Sequence, residues 1–408
     1  MRFDFFTRER ERALKVLYVC QEYPARTQTF VVNEAAAVAS SGNDVFLYSL
    51  RGADEGLSSE RVVHLNASVS KFERIVAMLL VPKALANRRV RTRFLSEGFS
   101  AARMIRQAYA VWHAVVLSRI LRNLGTRDLA VHVHFLGRAL DVSAYLADLG
   151  VPSRVWTATT HAADASVPPS AKRTLDIVRL VDGVFAASEA VGRALFLSTE
   201  VRPSGIVHCG IIPRGSQDTS IASGTFKIVT VGRLVRKKGV DVAIRAATVL
   251  KDRGLVFKWS IIGAGPLESE LRAQASDAGV GEFFEWHGSL PHSKVLSTVA
   301  ASQVFVLPSV RSPDGDIDGI PVALMEAMTL GVPVVSSYLS GIPELVKDGE
   351  TGRTVDPGDH VGLAQAIMDL QDPSTRDILK GEAKRFVDEQ FNQYREAEKL
   401  VSWWMNWS

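Results

Sequence analysis

The chain has 408 residues, too many for one ordinary core, and with 47% hydrophobic and 23% charged residues it is no disordered polymer. Its two cysteines, Cys20 and Cys209, lie far apart, which excludes a disulfide framework and fits a reducing cytosol. The net charge is +4, and no nucleic-acid-binding motif accompanies it.

The opening stretch, "MRFDFFTRERERALKVLYV", lacks the long apolar run of a signal peptide, so a cytoplasmic protein is expected. Short apolar runs then alternate with helical patterns. The first half places strands at 14–20, 44–50, 129–135, 154–160 and 183–188. Between Lys71 and Arg127 twelve Lys/Arg face only Glu73 and Glu97. The apolar run from Ile75 to Val81 stops at Pro82 and is too short to span a bilayer. This basic, helix-prone insertion fits peripheral contact with an anionic membrane. It fits ordinary amphipathic helices with solvated arginines equally well. The second half places strands at 226–232, 257–263, 283–288, 303–309 and 332–337, separated by helices at 239–253, 265–278, 291–301 and 321–330.

The alternation begins twice, so the expected fold is α/β: two doubly wound Rossmann-like domains facing each other across a cleft. The expected division is residues 1–212, a linker at 213–224, a second domain over 225–390, and a C-terminal helix over 391–408 packing back on the first domain. In that tail Trp403, Trp404 and Trp407 are expected to dock on a domain surface.

Four motifs carry chemistry. "TVGRLVRKKGVD" sets Gly232, Arg233, Lys237 and Lys238 at a strand-to-helix turn, a natural grip for a diphosphate. "IIGAGPLESEL" has Gly263, Gly265 and Pro266 in a tight turn. The third glycine of a dinucleotide fingerprint is replaced by Glu268, so NAD is disfavoured and a turn beside a nucleotide is expected. "DGDIDGIPVALMEAM" begins like a calcium loop with Asp314, Asp316, Asp318 and Gly319, but Met325 stands at the twelfth position and Pro321 interrupts it. The metal-free alternative gives Asp318 and Glu326 to ligand hydroxyls and the amides near Gly319, Ile320 and Val322 to an anion, with Asp314 and Asp316 as loop residues. In "TTHAAD" His161 lies just past a strand end, facing the expected cleft. His132 and His134 share a strand face, but no third metal ligand is apparent, so a structural role is expected.

These segments, with "WHGSLPHSKV", "SGIPELVKDGETG", "EYPARTQTFVVNE" and "VDGVFAASE", resemble retaining GT-B glycosyltransferases of family 4, in the exopolysaccharide or colanic-acid-type branch. The resemblance covers most of the chain. It implies transfer, with retention, of a hexose-type sugar from a nucleotide-sugar, UDP favoured over GDP, to a lipid-linked or free saccharide. No cofactor and no metal are expected. It also implies that Arg233 and Lys238 hold the diphosphate, Glu326 meets the ribose, Asp318 sits near the transferred sugar, and His161 contacts that sugar from the acceptor side. Thr27, Gln28, Thr29 and Asp164 become acceptor-side candidates, and Glu344 of "GIPELV" a further one. The chain departs from the pattern in having Asp318 where glutamate is usual, "ARTQT" for a glycine-rich loop, and no acid after the glycine of "HCGIIP". A nucleotide-sugar 2-epimerase of the same fold and a non-catalytic nucleotide-sugar-binding protein are the alternatives.

Overall fold

Continuous apolar runs can be satisfied only where both faces of a strand are covered, and that is where they lie. The computed structural model describes residues 13–22, 29–51, 61–65, 71–96, 100–125, 128–166, 175, 178–213 and 224–407. Thr27, Gln28 and residues 214–223 of the expected linker fall outside the described residues.

The first domain holds β1 (Lys15–Glu22), β2 (Asp44–Arg51), β3 (Val62–His64), β4 (Leu129–His134), β5 (Ser153–Thr160), β6 (Gly183–Ala186) and β7 (Gly205–Ile206). They form one parallel sheet in the order β3-β2-β1-β4-β5-β6-β7. Successive β1 side chains alternate between two cores, as the period of a strand requires. Leu17 and Val19 join Val131, Leu117 and Leu121 on one face. Val16, Tyr18 and Cys20 join Val31, Ala35 and Trp404 on the other.

Four helices of this domain precede β4: α1 (Thr29–Ser40), α2 (Lys71–Ala86), α3 (Arg88–Ser96) and α4 (Ala101–Asn123). The last three make up the basic insertion. α4 is buried along Ala110, Val111, Ala114, Val115, Leu117 and Leu121 and forms part of the domain core. α2 does not stop at Pro82 but carries it as an interior residue. A proline there forgoes one backbone bond, and the helix continues for a further turn to Ala86. α5 (Arg138–Asp148), α6 (Ala162–Ser166) and α7 (Glu189–Thr199) complete the domain.

The second domain repeats the plan with β8 (Phe226–Val231), β9 (Phe257–Ile262), β10 (Phe284–Gly288), β11 (Val304–Leu307), β12 (Val334–Ser337) and β13 (Arg353–Val355). Their parallel order is β10-β9-β8-β11-β12-β13. The helices are α8 (Val240–Asp252), α9 (Glu268–Asp277), α10 (His292–Ala300), α11 (Val322–Thr329), α12 (Ile342–Leu345), α13 (His360–Asp369) and α14 (Pro373–Gln390). α8 and α13 cover one face, and α11 and α14 the other.

The chain ends on α15 (Gln393–Asn406), which lies against α1. Trp404 is fully buried there, and its Nε1 donates to Thr157 Oγ1 at 3.0 Å. Trp403 meets Phe185 edge-on and stacks on Trp407. Chain order reverses at β1/β4 and β8/β11, so the carboxyl ends of those strands mark where a ligand crevice forms.

Candidate active site

The end of β8 runs into Gly232 and Arg233, then a 3-10 turn at Arg236–Lys238, then Gly239 with φ 64° before α8. A Cβ on Gly239 would strike the Pro308 carbonyl oxygen just past β11, so glycine is obligatory there. The Lys238 stem lies over Gly232 and brings its ammonium 2.8 Å from Asp318 Oδ2. Lys237 reaches Asp316 Oδ2 at 3.0 Å and Asp318 Oδ1 at 3.6 Å, so it is no free surface cation. Ser309 Oγ donates to Asp318 Oδ2 at 3.1 Å. Arg233 is exposed, and no protein group holds its guanidinium among the described residues.

Gly263 and Gly265 serve their own chain. A Cβ on Gly263 would collide with the Gly232 carbonyl, and one on Gly265 with the Leu234 backbone. The β8 and β9 loops thus touch backbone to backbone, leaving Pro266 exposed at the rim. The aspartate stretch follows a strand, not a helix, and Asp314 Oδ1 accepts the Asp316 N–H at 3.2 Å. Asp316 is more than a loop residue, since it pairs with Lys237. Pro321 precedes the first turn of α11, where Val322 begins the helix after Gly319 and Ile320. One turn further, Glu326 accepts from or pairs with His292 Nε2 at 2.8 Å.

On the first domain His161 is buried between Phe30 and Phe135. Its Nε2 lies 3.1 Å from His134 Nδ1, and its Nδ1 lies 4.0 Å from the Cys209 sulfur. Burial and the neighbouring His134 push its pKa well below the usual imidazole range. Asp164 turns toward its own backbone, accepting the N–H groups of His161 at 2.9 Å and Leu136 at 3.0 Å. Burial raises that carboxyl to about 6 against those bonds. Thr29 opens α1 and is exposed.

His132 and His134 do have a third ligand-type neighbour, the carboxylate of Glu34 from α1, with these atoms within 4.8 Å of one another. The same atoms are engaged by hydrogen bonds: His134 Nε2 to Glu34 at 3.1 Å, and His132 Nδ1 and Nε2 to the hydroxyls of Thr157 at 2.9 Å and Thr159 at 3.2 Å.

The two halves of the site meet. A methyl on Gly319 would sit 3.3 Å from Ala162 Cβ, beside His161, and Ile317 packs against Ala162, Ala186 and Val191. Glu344 from α12 accepts the N–H groups of Glu189 and Ala190, both at 2.9 Å, and so caps α7 across the domain boundary. Sequence reasoning missed Glu34, Ser309 and His292, which join the site only through tertiary proximity. Glu34 did leave a trace, as the last residue of the quoted "EYPARTQTFVVNE".

Two parallel Rossmann-like sheets set against each other are the GT-B architecture, and a family match and named relatives support a glycosyltransferase enzyme. Residues 213–386 match the family described as Glycosyl transferases group 1. The chain is 28% identical to WcaL of Salmonella typhimurium, named for colanic acid biosynthesis as a glycosyltransferase, over 95% of this chain and 99% of that one. It is 39% identical to the amylovoran biosynthesis glycosyltransferase AmsK of Erwinia amylovora over 43% of this chain and 44% of that one. A GDP-mannose-dependent alpha-(1-6)-phosphatidylinositol monomannoside mannosyltransferase of Mycolicibacterium smegmatis matches at 35% identity over 39% of this chain and 42% of that one. Among solved structures, Anabaena HepE in complex with UDP and glucose shares the fold with a TM-score of 0.66, at 15% identity over 95% of this chain and 98% of that one.

Proposed function

We propose that the chain transfers a hexose-type sugar, with retention, from a nucleotide-sugar to a saccharide hydroxyl in cytoplasmic exopolysaccharide assembly. The observation that carries this reading is the Lys238–Asp318 pair of the second domain, set against the His161–Ala162 turn of the first. Arg233 and Lys238 would meet the diphosphate, with Lys238 exchanging Asp318 for a phosphate oxygen. Positive charge then stands where the leaving group develops negative charge. Those cations do the work a divalent metal does at Asp-x-Asp sites, so none is required. Asp318 and the amides after Gly319 would face the sugar, and Glu326 the ribose. Same-face attack, with the donor phosphate taking the acceptor proton, gives retention without a carboxylate nucleophile.

A UDP-sugar is favoured as donor, supported by the UDP-binding structure of the same fold, while the GDP-mannose-dependent relative keeps GDP-sugars in the test. The epimerase and non-catalytic alternatives are not favoured beside relatives named as transferases. Melting of the purified chain with UDP, GDP or ADP, with and without EDTA, tests the site. Chelator-independent stabilisation by UDP supports the reading; stabilisation that needs metal, or none with any diphosphate, sinks it.

The saccharide acceptor would be lipid-linked, reached from the membrane surface. On α2 the side chains of Ile75, Met78 and Leu79 share one face at helical spacing and are 55%, 61% and 70% exposed. Arg88, Arg89 and Arg91 of α3 are exposed nearby in sequence. Among the described residues no helix is long and apolar enough to cross a membrane. Co-sedimentation with phosphatidylglycerol but not phosphatidylcholine vesicles is expected, and lost in Ile75→Glu/Leu79→Glu. Equal recovery on both vesicles would remove the membrane from the reading.

A further inference from the structure

Behind His161 three elements build a buried polar chain. Glu34 of α1 has a side chain 11% exposed, and its Oε1 accepts the Tyr18 hydroxyl at 2.9 Å and faces His134 Nε2 at 3.1 Å. On its far side His134 faces His161, Nδ1 to Nε2, at 3.1 Å. His134 also stacks on Tyr18 at 6.0 Å between ring centroids and is almost fully buried. No part of this chain is accounted for by donor binding on the second domain.

Hydrogen-bond logic gives the chain a direction. The Tyr18 hydroxyl donates to Glu34 Oε1 at 2.9 Å, which marks that oxygen as an acceptor. An ionised carboxylate only accepts, so His134 must carry its proton on Nε2. We take His134 to carry that one proton, which leaves Nδ1 bare and able only to accept. His161 must therefore donate from Nε2 and keep a lone pair on Nδ1. That lone pair looks toward Cys209, whose half-buried thiol can donate. Burial pushes that thiol well above its usual pKa, so it stays protonated.

We infer that Glu34 and His134 are positioning residues that fix His161 as the Nε2–H tautomer and leave its Nδ1 as a hydrogen-bond acceptor for a hydroxyl at the domain boundary. The inference rests on the proposed transfer reaction for its purpose but not for its geometry. A neutral imidazole held this way accepts from a sugar hydroxyl without bringing a positive charge beside the cations that serve the diphosphate. Turning the ring over, or mixing its tautomers, would present a donor where an acceptor is needed.

The test reads the tautomers directly. In the full chain carrying 15N-labelled histidine, with His161→Gln and His132→Gln spectra for assignment, His134 and His161 are both expected as Nε2–H at neutral pH. Glu34→Gln can both accept from and donate to His134, so both imidazoles are expected to become tautomer mixtures. Transfer should then fall about 10- to 100-fold in kcat, the size of loss seen when an imidazole's outer partner is removed. Stabilisation by UDP should stay unchanged, and Glu34→Asp should recover part of the rate. Tyr18→Phe, which leaves the His134 bond in place, is expected to keep the wild-type tautomers and most of the rate.

His161 found as Nδ1–H in the wild type, or a Glu34→Gln spectrum identical to wild type, would overturn the inference. So would a Tyr18→Phe loss as large as that of Glu34→Gln, which would mean packing alone, or a spectrum altered by EDTA, which would mean a metal. Because the spectra need no substrate, absence of transfer in the wild type would count against the proposed function alone.

Discussion

The two domains present the same parallel sheet order, yet the ends of their central strands carry opposite kinds of chemistry. In the second domain the loop after β8 holds Lys237 and Lys238, half-buried and paired with Asp316 and Asp318 of the loop after β11. In the first domain β4 ends in His132 and His134, buried with every ring nitrogen facing a side chain of the same domain. A partly solvated ammonium can trade one oxygen partner for another at small cost, which suits a site that must take up and release a diphosphate. Those two imidazoles are engaged on both nitrogens within the domain, so they keep one geometry. One side of the boundary is built to exchange, the other to stay fixed.

The largest test of that contrast is Lys238→Ala. It should lower transfer by about 100-fold or more, as loss of one preorganised donor to a developing anion does, and should also abolish stabilisation by UDP. If UDP still stabilises Lys238→Ala like wild type, the exchanging side has been misplaced.

A smaller effect tests how the sides are joined. Glu344→Ala removes the carboxylate that caps α7 from the other domain, while Ser188 Oγ still accepts the Val191 N–H at 3.1 Å. Loss of one such cap is worth about 1 kcal/mol, so the urea midpoint should fall modestly. An unchanged midpoint would mean that this cap does not help hold the domains together.

The smallest effect concerns pH. His208 lies between the domains, with Nε2 3.6 Å from Glu344 and Nδ1 3.7 Å from Glu396 on α15, and with Lys399 nearby. Burial lowers its pKa, but the two carboxylates outweigh burial and the net shift is upward. A raised folded pKa stabilises fully below the unfolded value of about 6.5 and is lost as pH rises through the folded value. His208→Gln should therefore lower Tm more at pH 5.5 than at pH 8.5. A difference that grows with pH would reverse the sign of this linkage.

Much of the frame is legible along the chain. Ten strands expected from apolar runs are present within a few residues. β3, β7 and β13 escaped notice because they are edge strands of three, two and three residues, too short to show a pattern. The sequence marked Pro82 only as the end of an apolar run, a local signal that did not show the helix continuing to Ala86. At the site, His161 could be picked out because it lies just past a strand end, Lys238 because it closes a basic turn before a helix, and Asp318 because it precedes a Gly-Ile-Pro turn. What each one touches could not.

The sequence by itself determined the doubly wound plan, since period and run length are properties of neighbouring residues. It also determined where glycine must sit, though not that Gly263 and Gly265 clear the Gly232 and Leu234 backbone. Only tertiary structure decided that Lys238 holds Asp318, 80 residues away, and that Glu34 lies against His134, 100 residues away. A hydrogen bond is set by distance and direction in space, and no local pattern records which distant segment will supply its other half.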